Sequence, residues 1–242
     1  VSLLFFIIYT SMTADKRKYG FRRAFTLRPH LLKGMLSISG WTMVQSFISV
    51  SIWFIFFLAI EHLGERPLAV TNIVRNISAL LIMVISAFAT TAGALISNQI
   101  GAGEQRCLFK TCGMTLKLTY AILIPLLIIL CLFPESVLRA FTDSPSLIAA
   151  SVNSVYVMAS STLIMAPSFI LFNAVSGTGN TKAGFIMEMI SLAVYTAVIY
   201  YGIIRLKPDV ALCWFSEHVY GVTLIFLAWW YLKSGKWRGK KV

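Results

Sequence analysis

The stretch PLAVTNIVRNISALLIMVISAFATTAGALISNQ, Pro67 to Gln99, carries one charged side chain, Arg75, in 33 residues. As a helix it would run about 50 Å, more than the ~30 Å of a bilayer's hydrocarbon core requires. A helix on the surface of a soluble domain needs a charged face, and this one has none. Five further apolar runs, roughly 35–60, 111–133, 146–176, 183–204 and 210–232, are also long enough to span. The pattern predicts an all-α integral membrane protein built on a six-helix transmembrane bundle.

Composition agrees. The 242 residues are 58% hydrophobic and 12% charged, with a mean hydropathy of +0.80. Soluble domains run near ~45–50% apolar and ~25% charged, so polar side chains here are too few to cover a wet surface. That excludes a cytosolic enzyme, a secreted disulfide scaffold and a disordered tail. Cys107, Cys112, Cys131 and Cys213 show neither CxxC nor Cys/His ligand spacing, and those in or beside apolar runs read as buried free thiols.

The start, residues 1–12, is apolar but short, with no basic leader region or small-residue cleavage site, so it is expected to be the end of a helix cut from a larger protein. Residues 13–34 are expected to form a basic linker, 35–232 the bundle, and 233–242 a basic tail. The net charge of +12 might suggest nucleic acid, but its placement argues otherwise. Loops that would lie on the tail's side hold sixteen Lys and Arg, those on the other side hold Arg66, Arg139, Arg205 and Lys207, and this asymmetry puts the C-terminus in the cytoplasm. Trp214, Trp229, Trp230, Tyr231 and Trp237 sit near the ends of the last span, as an interfacial aromatic belt would.

Polar residues within spans carry the functional information. Asn72, Asn76, Ala79, Met83, Ser86, Thr90, Gly93 and Ser97 form one small, polar face, and Ser39, Thr42, Ser46, Ser49 and Trp53, with Gln45, lie on the span before. Close helix packing accounts for single Ser or Thr residues, whereas a whole stripe with two Asn points to a wet cavity. Arg75 and Glu217 lie at similar depth from one side, which makes an ion pair geometrically possible, with independent snorkelling as the alternative. Glu188, Ser191 and Tyr195 share a face on another span, where Glu188 serves either as a proton or cation site or as a carboxylate bonded to a neighbouring helix. Asn173 offers a donor and an acceptor near a span end, and Pro167, following Ser160, Ser161 and Thr162, marks a kink. The candidate substrate and ion pathway is therefore Gln45, Asn72, Arg75, Asn76, Asn173, Glu188, Tyr195 and Glu217.

Ser97-Asn98-Gln99-Ile100-Gly101-Ala102-Gly103-Glu104, at the end of the small-residue helix, resembles the Q-x-G-A-G turn of multidrug and toxic compound extrusion (MATE) transporters. Gly177-Thr178-Gly179-Asn180-Thr181-Lys182 resembles their G-x-G-(D/N)-T-(K/R) turn, at the right spacing. The resemblance covers essentially the whole chain, as the end of helix 6 and helices 7 to 12. It implies one lobe of a twelve-helix antiporter, in a multi-pass cell membrane location such as a bacterial inner membrane. Such a protein exports organic cations or other amphiphiles against H⁺ or Na⁺, by rocking against an N-terminal six-helix lobe. It also implies no cofactor beyond the coupling ion, a small-molecule substrate, and the lipid bilayer as surroundings.

Many members of that family place cation-binding acids on helices 7 and 10. The matching positions fall near Ser49 and Pro167, where this chain has no acid, so a coupling site in this bundle would have to use Glu217 or Glu188. The glycine turns read as helix caps, with Asn180 and Thr181 able to cap the next helix. A flippase of lipid-linked saccharides is the alternative, weakened by the single intramembrane cation. An enzyme is disfavoured because His30, His62 and His218 are scattered, and no re-entrant filter suggests a channel.

Overall fold

The computed structural model describes Leu4, Phe5, Tyr9, Thr10, Met12 and residues 29–238. Val1–Gly40 and Trp41–Val242 form separate compact units. In the first, the described residues are helical. Most of the expected stub and linker, and residues 239–242 of the expected tail, lie outside the described residues.

The helices are α1 (Pro29–Glu61), α2 (Glu65–Gly101), α3 (Leu108–Leu132), α4 (Pro134–Leu138), α5 (Pro145–Gly177), α6 (Thr181–Val198), α7 (Val210–Cys213) and α8 (Ser216–Ser234). A π-helical stretch, Ile199–Arg205, prolongs α6. Among the described residues, six helical segments are long and apolar enough to cross a membrane: Ser39–Glu61, Glu65–Gly101, Gln105–Leu132, Pro145–Gly177, Thr181–Arg205 and Val210–Ser234. They match the six apolar runs of the sequence. The first helix starts earlier than expected, at Pro29, a residue whose missing N–H costs a helix nothing in its first turn.

The lobe is organised around α5, which packs against α2, α3 and α8. Glycine lets α2 and α5 touch. A Cβ on Gly177 would sit 2.5 Å from the Gly93 carbonyl oxygen, and one on Gly93 would sit 2.9 Å from that of Asn173. Apolar Val74, Ile77, Leu81, Ile85, Ala89, Ala92 and Ile96 form the buried face of α2. The polar stripe turns away from that core, with Asn76, Ala79, Met83, Thr90 and Ser97 exposed.

Pro167 lies inside α5 and has no N–H for the Leu163 carbonyl. The Tyr120 hydroxyl of α3 donates to that carbonyl at 2.7 Å, so the proline's lost bond becomes an interhelical one. Both family-like turns are pinned to neighbouring helices. Thr111 Oγ1 donates to Gln99 Oε1 at 2.9 Å, and Gly103 takes a left-handed φ of +82°. Asn180 Oδ1 accepts from the Ala183 N–H as an N-cap, while its amide donates to the Tyr231 hydroxyl of α8.

Two expectations about aromatic and sulfur side chains are corrected. Trp229 and Trp230 are exposed as a belt requires, but Trp214 and Trp237 are buried. Trp214 packs edge-on against Phe56 of α1, with ring centroids 5.7 Å apart. Trp237 folds back and donates from Nε1 to the Leu232 carbonyl at 2.9 Å, after Gly235 has ended α8 at φ +67°. Among the cysteines, Cys112 and Cys213 are buried free thiols as expected, but Cys131 is exposed on α3.

Candidate functional site

The larger unit contains a cavity of about 520 Å³ bounded by α1, α2, α5, α6 and α8. Its walls are largely apolar, including Trp53, Met83, Met165 and Phe169, and three charged residues line it: Arg75, Glu188 and Glu217. That volume lies within the range of small-molecule pockets, which likewise combine apolar walls with a few polar groups.

The two acids come from antiparallel helices. Glu188 lies seven residues into α6 and Glu217 seven residues beyond Val210, so each sits about 10 Å in from an opposite end of the lobe. Tyr195 follows Glu188 by two helical turns on α6, and Tyr220 follows Glu217 by three residues on α8, so each tyrosine shares a face with its own acid. The helices then exchange partners. Tyr195 Oη donates to Glu217 Oε1 at 2.8 Å, and Tyr220 Oη donates to Glu188 Oε1 at 2.9 Å. The two phenol rings meet edge to face, 5.8 Å between centroids. Ser49 of α1 adds a second donor to Glu188 Oε1 at 2.8 Å.

The expected face of Glu188, Ser191 and Tyr195 is therefore real, and all three are buried. Glu188 is a carboxylate hydrogen-bonded to two neighbouring helices and also lines the cavity. Ser49 also lies near the position at which the family resemblance would have placed an acid on α1. Here the hydroxyl stands on α1 and the carboxylate reaches it from α6.

The Arg75–Glu217 pair does not form. Both side chains line the cavity, but Glu217 accepts from Tyr195. The Arg75 guanidinium carbon instead lies 5.3 Å from the Phe57 ring centroid and 6.0 Å from that of Trp53. Its Nε is enclosed and has no hydrogen-bond partner among the described residues. Aromatic faces hold the cation where an acid was expected.

The remaining candidates stand apart from the cavity. Asn72 is half-buried and Asn76 exposed on α2, and neither is among the cavity-lining residues. Asn173 turns its amide onto its own helix, donating from Nδ2 to the Phe169 carbonyl at 2.9 Å, while its backbone packs against Gly93. Gln45 is half-buried one turn before Ser49 and does not line the cavity. Sequence reasoning missed Tyr220 and Phe169. The spacing of Tyr220 from Glu217 was the available signal, since i and i+3 share a helix face.

Among the described residues, no group of three or more His, Cys, Asp or Glu could hold a metal ion. No curated protein sequence matches the chain. The fold is similar to that of the Vibrio cholerae MATE transporter VcmN in its bent form, with TM-score 0.77, 15% identity, and 86% of this chain and 48% of that one covered. It is likewise similar to a multidrug resistance MATE family transporter of the MOP superfamily in its outward-facing conformation, with TM-score 0.74, 14% identity, and coverage of 84% and 46%. A MOP superfamily transporter from Pyrococcus furiosus matches with TM-score 0.72 and 14% identity, over 82% of this chain and 44% of that one. The chain thus spans about half the length of these solved structures. The MatE family model matches residues 42–201, which takes in α2 to α6, both glycine turns and the Ser49–Glu188 contact, and the chain belongs to the MatE family of membrane transporters.

Proposed function

We propose that this chain is one lobe of a secondary antiporter that exports organic cations and drug-like amphiphiles in exchange for H⁺ or Na⁺ by alternating access. The observation that carries the reading is the pair of membrane-embedded carboxylates, Glu188 and Glu217, on the wall of one cavity and cross-linked by Tyr195 and Tyr220. Ionisable groups at such depth are costly and mark ion or substrate pathways. The two carboxylates and the hydroxyls that meet them offer oxygen atoms, a chemistry that can hold a proton or a Na⁺ ion.

The second lobe belongs to the same reading. An exposed polar stripe on α2, from Asn76 to Ser97, gains nothing from lipid and supports contact with water or with another bundle. The excess of Lys and Arg in alternate loops supports a cytoplasmic C-terminus, and a bacterial inner membrane is the location we assign. A flippase of pyrophosphate-linked saccharides would call for a cationic cavity. This one has two acids against one arginine, which favours amphiphile export.

The test is reconstitution of the intact transporter carrying these residues into vesicles, followed by an imposed pH or Na⁺ gradient. Gradient-driven movement of a fluorescent organic cation is expected. Its absence under both gradients overturns the reading.

A further inference from the structure

Arg75 is the one basic residue among the described residues lining the cavity, and its bonding is incomplete. It lies ten residues into α2, about 15 Å from the helix start. The cation lies over the Phe57 and Trp53 rings, whose quadrupoles attract it. Rings offer no lone pair to an N–H, however, and Nε is enclosed without an acceptor among the described residues. The two acids on the same wall are already met by tyrosines of facing helices. A guanidinium that lines the cavity at membrane depth, set over two rings and with no acid bonded to it among the described residues, can take an oxyanion from a ligand.

We infer that Arg75 is the binding site for the anionic group of an amphiphile, a carboxylate or sulfonate carried on an aromatic body. The guanidinium fork matches such a group through two parallel N–H···O bonds, which an ammonium does not offer. The aromatic body follows from the walls, since Trp53, Met83, Met165 and Phe169 give ring and thioether contacts but few polar ones. Small inorganic anions gain nothing from those walls and face Glu188 and Glu217 across the same space. Any amine on the same molecule would find these acids there. The inference rests on the transport reading only in holding that the molecule bound here is also carried.

The test uses the intact transporter in nanodiscs with no gradient, and two probes differing by one group. These are 8-anilinonaphthalene-1-sulfonate and N-phenyl-1-naphthylamine, which keeps the rings and lacks the sulfonate. Binding is read as energy transfer from tryptophan, with empty nanodiscs subtracted. The sulfonate probe is expected to bind about tenfold more tightly than its neutral analogue. Arg75→Gln should remove that preference and leave the neutral probe within about twofold, Arg75→Lys should keep part of it, and Glu217→Gln should strengthen it. Equal binding of the two probes by the unaltered protein overturns the inference, as does an Arg75→Gln variant that keeps the preference or weakens both probes alike. Should Arg75→Gln fail to fold, the probe ratio in the unaltered protein and in Arg75→Lys decides. Equilibrium binding needs no gradient, so a failure here is distinguishable from a failure of antiport.

Discussion

The Tyr195 hydroxyl on α6 donates to Glu217 on α8 at 2.8 Å, while Tyr220 on α8 returns the same contact to Glu188 on α6. The crossing ties two antiparallel helices through their acids and makes the protonation of each carboxyl a matter for the opposite helix. Carboxylates joined in this way form a structural seam between the two helices.

A first consequence concerns coupling energy. Tyr195→Phe and Glu217→Ala should each destabilise the protein, and a double-mutant cycle should return about 1 kcal/mol between them. The cycle between Tyr195→Phe and an exposed position such as Thr90→Ala should return a value near zero. Thermal unfolding in detergent measures both. A vanishing Tyr195–Glu217 term would mean the bond is not made.

Transport should report on the same acids. Glu217→Gln or Glu188→Gln, each removing a titratable group from the cavity, should abolish gradient-driven export or flatten its dependence on pH. Profiles that match the unaltered protein in both variants would place coupling outside this lobe.

Arg75 and Glu217 share a cavity without bonding to each other, so their removal should not be mutually compensating. Stability losses of Arg75→Ala and Glu217→Gln should add to within about 0.5 kcal/mol in the double variant. Rescue of the arginine variant by the second substitution would show that the two pair in the folded protein.

Proline and tyrosine offer a sharper test across α3 and α5. Tyr120→Phe leaves the Leu163 carbonyl without a donor and should cost about 1–3 kcal/mol. Adding Pro167→Ala restores an N–H four residues on, so the double variant should recover most of that loss. An equal deficit in both would break the assignment.

The two glycine classes should separate cleanly. Gly177→Ala drives a Cβ into the Gly93 carbonyl and should destabilise the α2–α5 contact by about 1–3 kcal/mol. Gly101, in the other glycine turn, has open space around it, so Gly101→Ala should be nearly neutral. Comparable losses at both positions would argue that turn conformation, and not helix approach, selects glycine here.

The membrane spans were legible because each is a local property: twenty or more apolar residues need no partner to announce themselves. The Glu188–Ser191–Tyr195 face was legible for a related reason, since helical spacing alone places residues three and seven apart on one side. The same logic failed for Trp237, because its burial depends on the chain reversing at Gly235. It also failed for Asn173, whose side chain bonds its own helix while its backbone takes the tight packing.

What the amino-acid sequence determined by itself is the class of molecule, the six spans, the glycine turns and the three charges, Arg75, Glu188 and Glu217, well inside the apolar runs. Length, apolar content and helical period suffice for these, and they act over short distances along the chain. Only the tertiary structure decided the pairing. Depth alone allowed Arg75 to meet Glu217, but depth carries no information on helix rotation. The rotation of α2 turns Arg75 onto Phe57 and Trp53, and that of α6 and α8 sets each acid against the other helix's tyrosine. A side chain's partner within a bundle is set by the angle at which helices face each other, and that angle is fixed by packing across the whole lobe.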